Sequence, residues 1–267
     1  MANRPLWICF AWACLGCQGL VPLGLPAEQD QAPDLWEKGQ EAMRLGKPEY
    51  AVLYYQQSLA ADPNLVRNHL SLAAAYLDQG NDLAACAHLG RYVRAHPDQL
   101  AIRIHLADLQ LRMHRLADSR LEFERCVACA QDQPEPGYGP LIHCHARLME
   151  IAEQSEDEYQ EHLHRGIGLA LLARERCQLP DPEGDLPTES LLCKSAAELT
   201  LAHLARPEEA RPAWYLYEVW AMLDQRQTAL RFLKEAAAAG PFSELTVAEK
   251  RRLDLQCQCL AAERQEK

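Results

Sequence analysis

Residues 32–65 read APDLWEKGQEAMRLGKPEYAVLYYQQSLAADPNL, residues 66–99 read VRNHLSLAAAYLDQGNDLAACAHLGRYVRAHPDQ, and residues 100–133 read LAIRIHLADLQLRMHRLADSRLEFERCVACAQDQ. Laid over one another, the three stretches repeat in a single fixed register. Pro63 aligns with Pro97 and Gly46 with Gly80. The relation also runs through Gly39, Ala73 and Ala107, through Ala51, Ala85 and Ser119, and through Tyr55, Leu89 and Phe123. A fixed period of about 34 residues marks one supersecondary unit that buries its apolar face by stacking on its neighbours. Ala, Leu, Glu, Gln and Arg are abundant throughout, against only 13 Gly and 4 Phe. Straight-chain residues lose little rotamer freedom in a helix, so the units are helical and the chain nearly all α.

The spacing resembles that of the tetratricopeptide repeat, a helix-turn-helix unit of about 34 residues. The resemblance implies an all-α, right-handed α-solenoid of stacked antiparallel helix pairs, about twelve helices in all. Each recurring residue has a mechanical reason in such a pair. Gly39, Ala73 and Ala107 on the first helix, and Ala51, Ala85 and Ser119 on the second, stand where two backbones approach too closely for a larger side chain. Tyr55, Leu89 and Phe123 fill the space between neighbours. Gly46 and Gly80 close the first helix in a left-handed conformation, where His114 replaces them less comfortably. Pro63 and Pro97 stop the second helix. Asp34-x-x-Glu37 reads as a capping box at the start of the fold. Lys38, His69, Arg103, Gln110 and Gln131 depart from the pattern, which makes the third unit the weakest.

Beyond residue 133 the strict period lapses. Residues 134–140 (PEPGYGP) are turn formers that no helix crosses. Leu141, Leu148 and Ile151 resume a helical spacing, and Ser155-x-x-Glu158 reads as a second capping box, together giving an atypical fourth hairpin outside the repeat. Within it, Gly166 and Gly168 lower helix propensity and point to close approach of a neighbouring helix. Residues 177–188 read as a polar loop, after which Thr188 caps a further helix. Residues 210–243 form a divergent unit with Leu216, Trp220, Ala229, Leu233, Ala236 and Pro241 in register, but with Tyr217 where a small residue is expected. Thr246-x-x-Glu249 opens a last helix, whose polar end at Gln265 to Lys267 closes the stack to water. The organisation read from the chain is therefore 1–17 signal, 18–33 linker, 34–133 three units, 134–176 insertion and fourth hairpin, 177–188 loop, and 189–264 C-terminal helices.

The first thirty residues differ from the rest. One cation, Arg4, precedes the apolar run Pro5 to Gly16, too short for an ordinary spanning helix and read as the apolar region of a signal peptide. Cys14-Leu15-Gly16-Cys17 resembles a bacterial lipobox, with Cys14 where Leu is preferred. The resemblance implies acylation of Cys17, a membrane anchor and a place in the cell envelope. Cleavage after Ala27 as a plain secretory peptide, and retention in the cytoplasm, are the alternatives. Of eleven Cys, three fall in this segment and eight remain. Cys126-x-x-Cys129 lacks the partners of a zinc or thioredoxin site and reads as small packing residues.

The 267 residues are 48 % hydrophobic and 24 % charged, which excludes disorder, and the net charge of −11 repels phosphate backbones and so argues against nucleic acid as a partner. No Gly-rich phosphate loop, GxSxG elbow or HExxH occurs, so no enzyme class and no cofactor is implied. The one constellation of interest is His143, Cys144 and His145 facing His162 and His164 across the fourth hairpin, with Glu161 beside them. Residues two apart point opposite ways on a helix, so neither HxH donates both rings to one ion. The family resemblance implies instead a concave groove lined by first helices that holds a partner's peptide or helix. Carried onto this chain, the groove consists of Trp36, Gln40, Met43 and Arg44, then Arg67, Leu70, Ala74 and Asp78, then Ile104, Asp108 and Arg112. The expected role is a non-enzymatic protein-binding scaffold. The alternatives are a metal-binding or enzymatic protein built on the histidines, and a self-associating envelope protein.

Overall fold

The computed structural model describes residues 31–133, 137–178, 187–239 and 244–265, with side chains as far as residue 262. The segment 1–30 with Cys17, Pro241, and the polar end at Glu266 and Lys267 lie outside the described residues. Every regular element among the described residues is an α-helix. Helices α1 (Ala32–Arg44) and α2 (Pro48–Ala61), α3 (Arg67–Asp78) and α4 (Asp82–Ala95), and α5 (Leu100–Arg112) and α6 (Leu116–Gln131) are the hairpins of the three units. They are followed by α7 (Tyr138–Gln154), α8 (Glu158–Gln178), α9 (Thr188–Ala205), α10 (Ala210–Met222), α11 (Arg226–Ala238) and α12 (Val247–Gln265). Each helix packs on the next, α1 also touches α3, and α12 returns to touch α6, so the molecule is an all-α solenoid of tetratricopeptide type.

The recurring residues sit where the repeat places them. Ala51, Ala73, Ala85, Ala107 and Ser119 are buried at 0–1 % exposure, and a Cβ on Gly39 would lie inside the Tyr55 ring. Ser119 stands in for alanine because its hydroxyl donates to the carbonyl of Ala107 (2.9 Å), the small residue opposite it. Tyr55, Leu89 and Phe123 fill the interior.

The hairpin turns are the same five times over. Gly46, Gly80, His114, Glu156 and Asp224 all have φ between 55° and 71°. In each turn two backbone N–H groups reach back to the end of the first helix, as from Gly80 to Leu77 and from Asn81 to Tyr76. Gly46, Gly80 and His114 follow one another at the repeat period. The step from His114 to Glu156 is eight positions longer than that, and the step from Glu156 to Asp224 is two full periods. The fourth hairpin is thus a repeat unit displaced by an insertion of eight, which corrects its reading as a structure outside the repeat. Its disguise has a physical cause. Where the first three units carry small residues it has Met149 and Glu161, both half-buried. Among the described residues, the period that follows it contains one helix, α9, in place of a pair.

The ends of several helices depart from expectation. The first helix begins at Ala32, and Asp34 lies inside its first turn, where a carboxylate meets the helix dipole without capping. Ser155 ends α7, and Asp157 caps α8 by accepting from the Gln160 N–H (3.2 Å). Thr188 is the first residue of α9 and makes no cap. Helix α8 runs on through Cys177 and Gln178, which therefore belong to it and not to the loop. The close approach read from the glycines belongs to Gly166, whose Cβ would come within 2.6 Å of the Leu199 side chain in α9, whereas one on Gly168 would meet His145 at an ordinary 3.8 Å.

Three cores result. One lies between α1, α2 and α3, with Tyr55 and Leu72, and one between α3, α4 and α5, with Leu89 and Leu106. The third runs unbroken from α5 to α12 and contains Phe123, Leu163, Leu199, Trp214 and Leu233.

Candidate binding surface

The first-helix face is stitched together by side chains from successive units. Trp36 on α1 is half-buried; its indole N–H donates to the Ser71 hydroxyl on α3 (3.0 Å), and the Arg67 guanidinium lies 4.4 Å above its ring. The Gln40 amide reaches the same hydroxyl (3.4 Å). Further along, Asp108 on α5 takes His143 (3.0 Å) and Arg147 (3.2 Å) from α7. Of the residues expected in the groove, the structure therefore brings together Trp36, Gln40 and Arg67, and ties Asp108 to the next unit. Met43 leans on the α1–α3 core, Leu70 on the α3–α5 core and Ile104 on the large core, all half-buried. Trp36 and Leu70 thus rest on two different cores. Ala74 and Asp78 are exposed, and Arg44 is exposed beside Glu41. Arg112 turns away to Asp82 (3.1 Å) at the start of α4.

The four histidines of the fourth hairpin separate. His145 and His164 meet between α7 and α8 with their Nδ1 atoms 3.1 Å apart, at 0 % and 3 % exposure. Burial lowers both pKa values, that of His145 to about 3, so both rings are neutral near pH 7 and one donates to the other. His143 goes to Asp108, and His162 to Glu198 on α9 (2.7 Å). Cys144 is buried beside Cys126, and Glu161 pairs with Arg165. The expected cluster is therefore dispersed over three neighbours.

The His145–His164 pair has equivalents. Shifted back by one period plus the insertion it is Arg103 and Glu122, a buried ion pair at 2.7 Å; shifted back by one further period it is His69 and His88, again Nδ1 to Nδ1 at 3.0 Å. One cross-hairpin position thus holds a polar pair in three successive units. His69 and Arg103 had looked like departures from the pattern, and alignment across the insertion was the signal that would have paired them.

A further polar group closes the C-terminal half. Glu249, fully buried in α12, accepts from Arg211 (3.1 and 3.2 Å), Tyr215 (2.7 Å) and Gln131 (3.2 Å) through one oxygen, and from the Thr246 N–H (2.8 Å) through the other. Its own N–H donates to the Thr246 hydroxyl (3.1 Å), so the expected capping box forms. Burial would raise the Glu249 carboxyl, but Arg211 and these donors hold it below its ordinary value.

No protein-family model matches the chain, and no curated protein matches it. Among solved structures it is similar to MamA, at 15 % identity over 78 % of this chain and 90 % of that one, with a TM-score of 0.42. It is also similar to PilF of Pseudomonas aeruginosa (13 %, 86 % and 99 %, TM-score 0.39). A third likeness is to PilW, a type IV pilus biogenesis factor (16 %, 83 % and 98 %, TM-score 0.37). These are likenesses of helical architecture only; the repeat is read from the chain's own five turns.

Proposed function

We propose that this chain is a non-enzymatic scaffold that holds a partner's peptide or helix against its first-helix face and is attached to a bacterial envelope through an acylated Cys17. The observation that supports the first part is the setting of Trp36. Its ring stays half-exposed while Ser71 and Arg67 fix it from the neighbouring unit, so an aromatic anchor is presented in one orientation and little entropy is lost when a partner covers it. Gln40 adds a polar contact beside it. Leu70 and Ile104 extend the apolar surface along the next two first helices. Attachment through Cys17 rests on the lipobox resemblance alone.

The test is a pull-down from detergent-solubilised membranes followed by affinity measurement. Trp36→Ala should weaken the captured partner by about 2 kcal/mol or more with an unchanged helical spectrum, while Gln57→Ala on an exposed part of α2 should be nearly silent. Equal affinities for wild type and a Trp36→Ala, Leu70→Ala double variant would remove the first-helix face as the binding surface. Separately, Cys17→Ala should shift the protein out of the membrane fraction; unchanged fractionation and processing would end the anchor reading.

A further inference from the structure

On another side of the stack, α4, α5 and α6 enclose a cleft of about 570 Å³. Val93 and Leu106 give it an apolar floor, and Arg94, Arg103 and Arg125 stand in its walls with a single carboxylate, Glu122. Glu122 spends one oxygen on Arg103 (2.7 Å) and the other on Arg125 (2.6 Å). Arg94 is exposed and has no ion-pair or hydrogen-bond partner among the described residues. Three guanidinium groups against one carboxylate leave a local excess of positive charge in a chain whose net charge is −11. Gln110, in the same wall and 7 % exposed, has an amide oxygen with no donor.

We propose that this cleft binds a short acidic peptide segment of a partner protein, with carboxylates on Arg94 and Arg125 and an aliphatic side chain over Val93 and Leu106. Guanidinium forks match carboxylates in two parallel hydrogen bonds; Arg94, with no partner of its own, gives up only water to form them, and Arg125, exposed, offers the N–H groups that Glu122 does not take. The cleft is larger than a lone inorganic anion requires, and its apolar floor would gain nothing from one. The acidic remainder of the surface disfavours approach to a broad anionic lipid or nucleic-acid surface, but not of a segment that enters the cleft alone. The site is separate from the first-helix face and does not depend on the role proposed for Trp36.

The probe is a fluorescein-labelled hexapeptide of two central leucines flanked by two glutamates on each side, with a counterpart in which glutamine replaces every glutamate. Binding is read by anisotropy at two salt concentrations. The full chain should bind the acidic peptide at least about tenfold more tightly than the neutral one, with affinity falling as salt rises. The double variant Arg94→Gln, Arg125→Gln removes two exposed side chains from the cleft. It should lose about tenfold or more for the acidic peptide while keeping its helical spectrum, and Trp36→Ala should bind like wild type. Equal affinity for both peptides, or an unchanged double variant, overturns the proposal. So does loss in Trp36→Ala without loss in the arginine variant, which would move the peptide to the first-helix face. Displacement of the peptide by low-millimolar inorganic phosphate would reduce the cleft to a simple anion site. Arginine-dependent binding to phosphatidylserine vesicles would assign it to a lipid surface. Either result also overturns the peptide.

Discussion

The first two units and the C-terminal half use the same turn and close their interiors in opposite ways. Units one and two keep small separate cores between adjacent helices, and their internal polar contacts join neighbours, as Asn68 to Ser58 (2.9 Å) and Ser58 to the Ala32 carbonyl (2.6 Å) do. From α5 onward one core is continuous, and α12 reaches back to α6, joining residues more than a hundred positions apart through Glu249 and Gln131. The first arrangement is the nearest-neighbour sum expected of a repeat array; the second is closer to a globular domain, whose parts stand or fall together.

Removing the centre of that group should have the largest effect. Breaking a buried ion pair by deleting one partner costs about 3–5 kcal/mol, because the other charge stays buried alone. Glu249→Leu leaves Arg211 in that position at 8 % exposure. Arg103→Leu, in the third unit, should cost less, since Glu122 keeps Arg125. Urea unfolding measures the difference. Hydrogen exchange locates it: protection should be lost across α10 to α12 in the Glu249 variant while α1 to α4 keep theirs. Uniform loss over the whole chain would mean that the two halves fold as one unit and the contrast is false.

Next in size is the seam between α8 and α9. A Cβ on Gly166 would come within 2.6 Å of the Leu199 side chain and 3.2 Å of its backbone nitrogen, and the backbone cannot give way. Gly166→Ala should therefore destabilise by about 1–3 kcal/mol. Gly168→Ala, two residues along the same helix, meets nothing closer than 3.8 Å and should be neutral or stabilising by up to about 1 kcal/mol through helix propensity. Thermal midpoints of the two variants moving in the same direction would count against this seam as the tight contact.

Much of the fold was legible in the sequence because the first units are held locally. Every copy of Gly39, Ala51, Tyr55 and Gly46 answers to a contact inside its own hairpin or the next, so the period survives. Where long-range contacts took over, the period had no such constraint. The fourth unit lost its small residues and became recognisable by its turn at Glu156 and its buried histidine pair. The capping box at Thr246 and Glu249 was readable, but nothing local announces that Glu249 is buried against Arg211. On the candidate surface, Trp36 and Arg67 followed from register alone. Ser71, His143 and Arg147 did not, because what places them there is contact between units, which a register read one unit at a time does not show.

The paired histidines carry the same contrast into pH dependence. Burial brings His145 down to about 3 and His88 to about 4 from 6.5, and lowers His164 and His69 as well. Arg211 opposes a charge on either ring of the fourth unit, Arg120 opposes one on His164, and Glu249 favours one on His145. The unfolded chain binds these protons near pH 6.5 and the folded chain does not. Stability is therefore complete above that pH and falls as pH drops towards the folded values. Between pH 7 and pH 5 each ring of the fully buried pair should lose about 2 kcal/mol, and the half-exposed His69–His88 pair less. Urea unfolding at the two pH values should show a flatter acid limb in His145→Leu, His164→Leu than in His69→Leu, His88→Leu. Equal slopes would make the two pairs equivalent despite their different burial.

The smallest effect belongs to the turns themselves. Gly46 and Gly80 hold φ of 65° and 71° at no steric cost, whereas His114, Glu156 and Asp224 hold 55° to 58° with a Cβ that the left-handed region disfavours. Each of the three carries the same pair of reverse backbone hydrogen bonds as the glycine turns, so the surrounding helices impose the conformation on the residue. Replacing it with glycine removes the steric penalty and returns part of the gain as chain entropy, for a net stabilisation of about 0.5–1 kcal/mol. All three side chains are exposed, so little else changes. His114→Gly should raise the stability of the third unit, and Glu156→Gly and Asp224→Gly should act mainly on the C-terminal half. If hydrogen exchange found the gain from His114→Gly confined to α5 and α6, the third unit would belong energetically to the repeat array. A gain shared with α7 to α12 would place the boundary between the two regimes at Leu100, before the last regular unit begins.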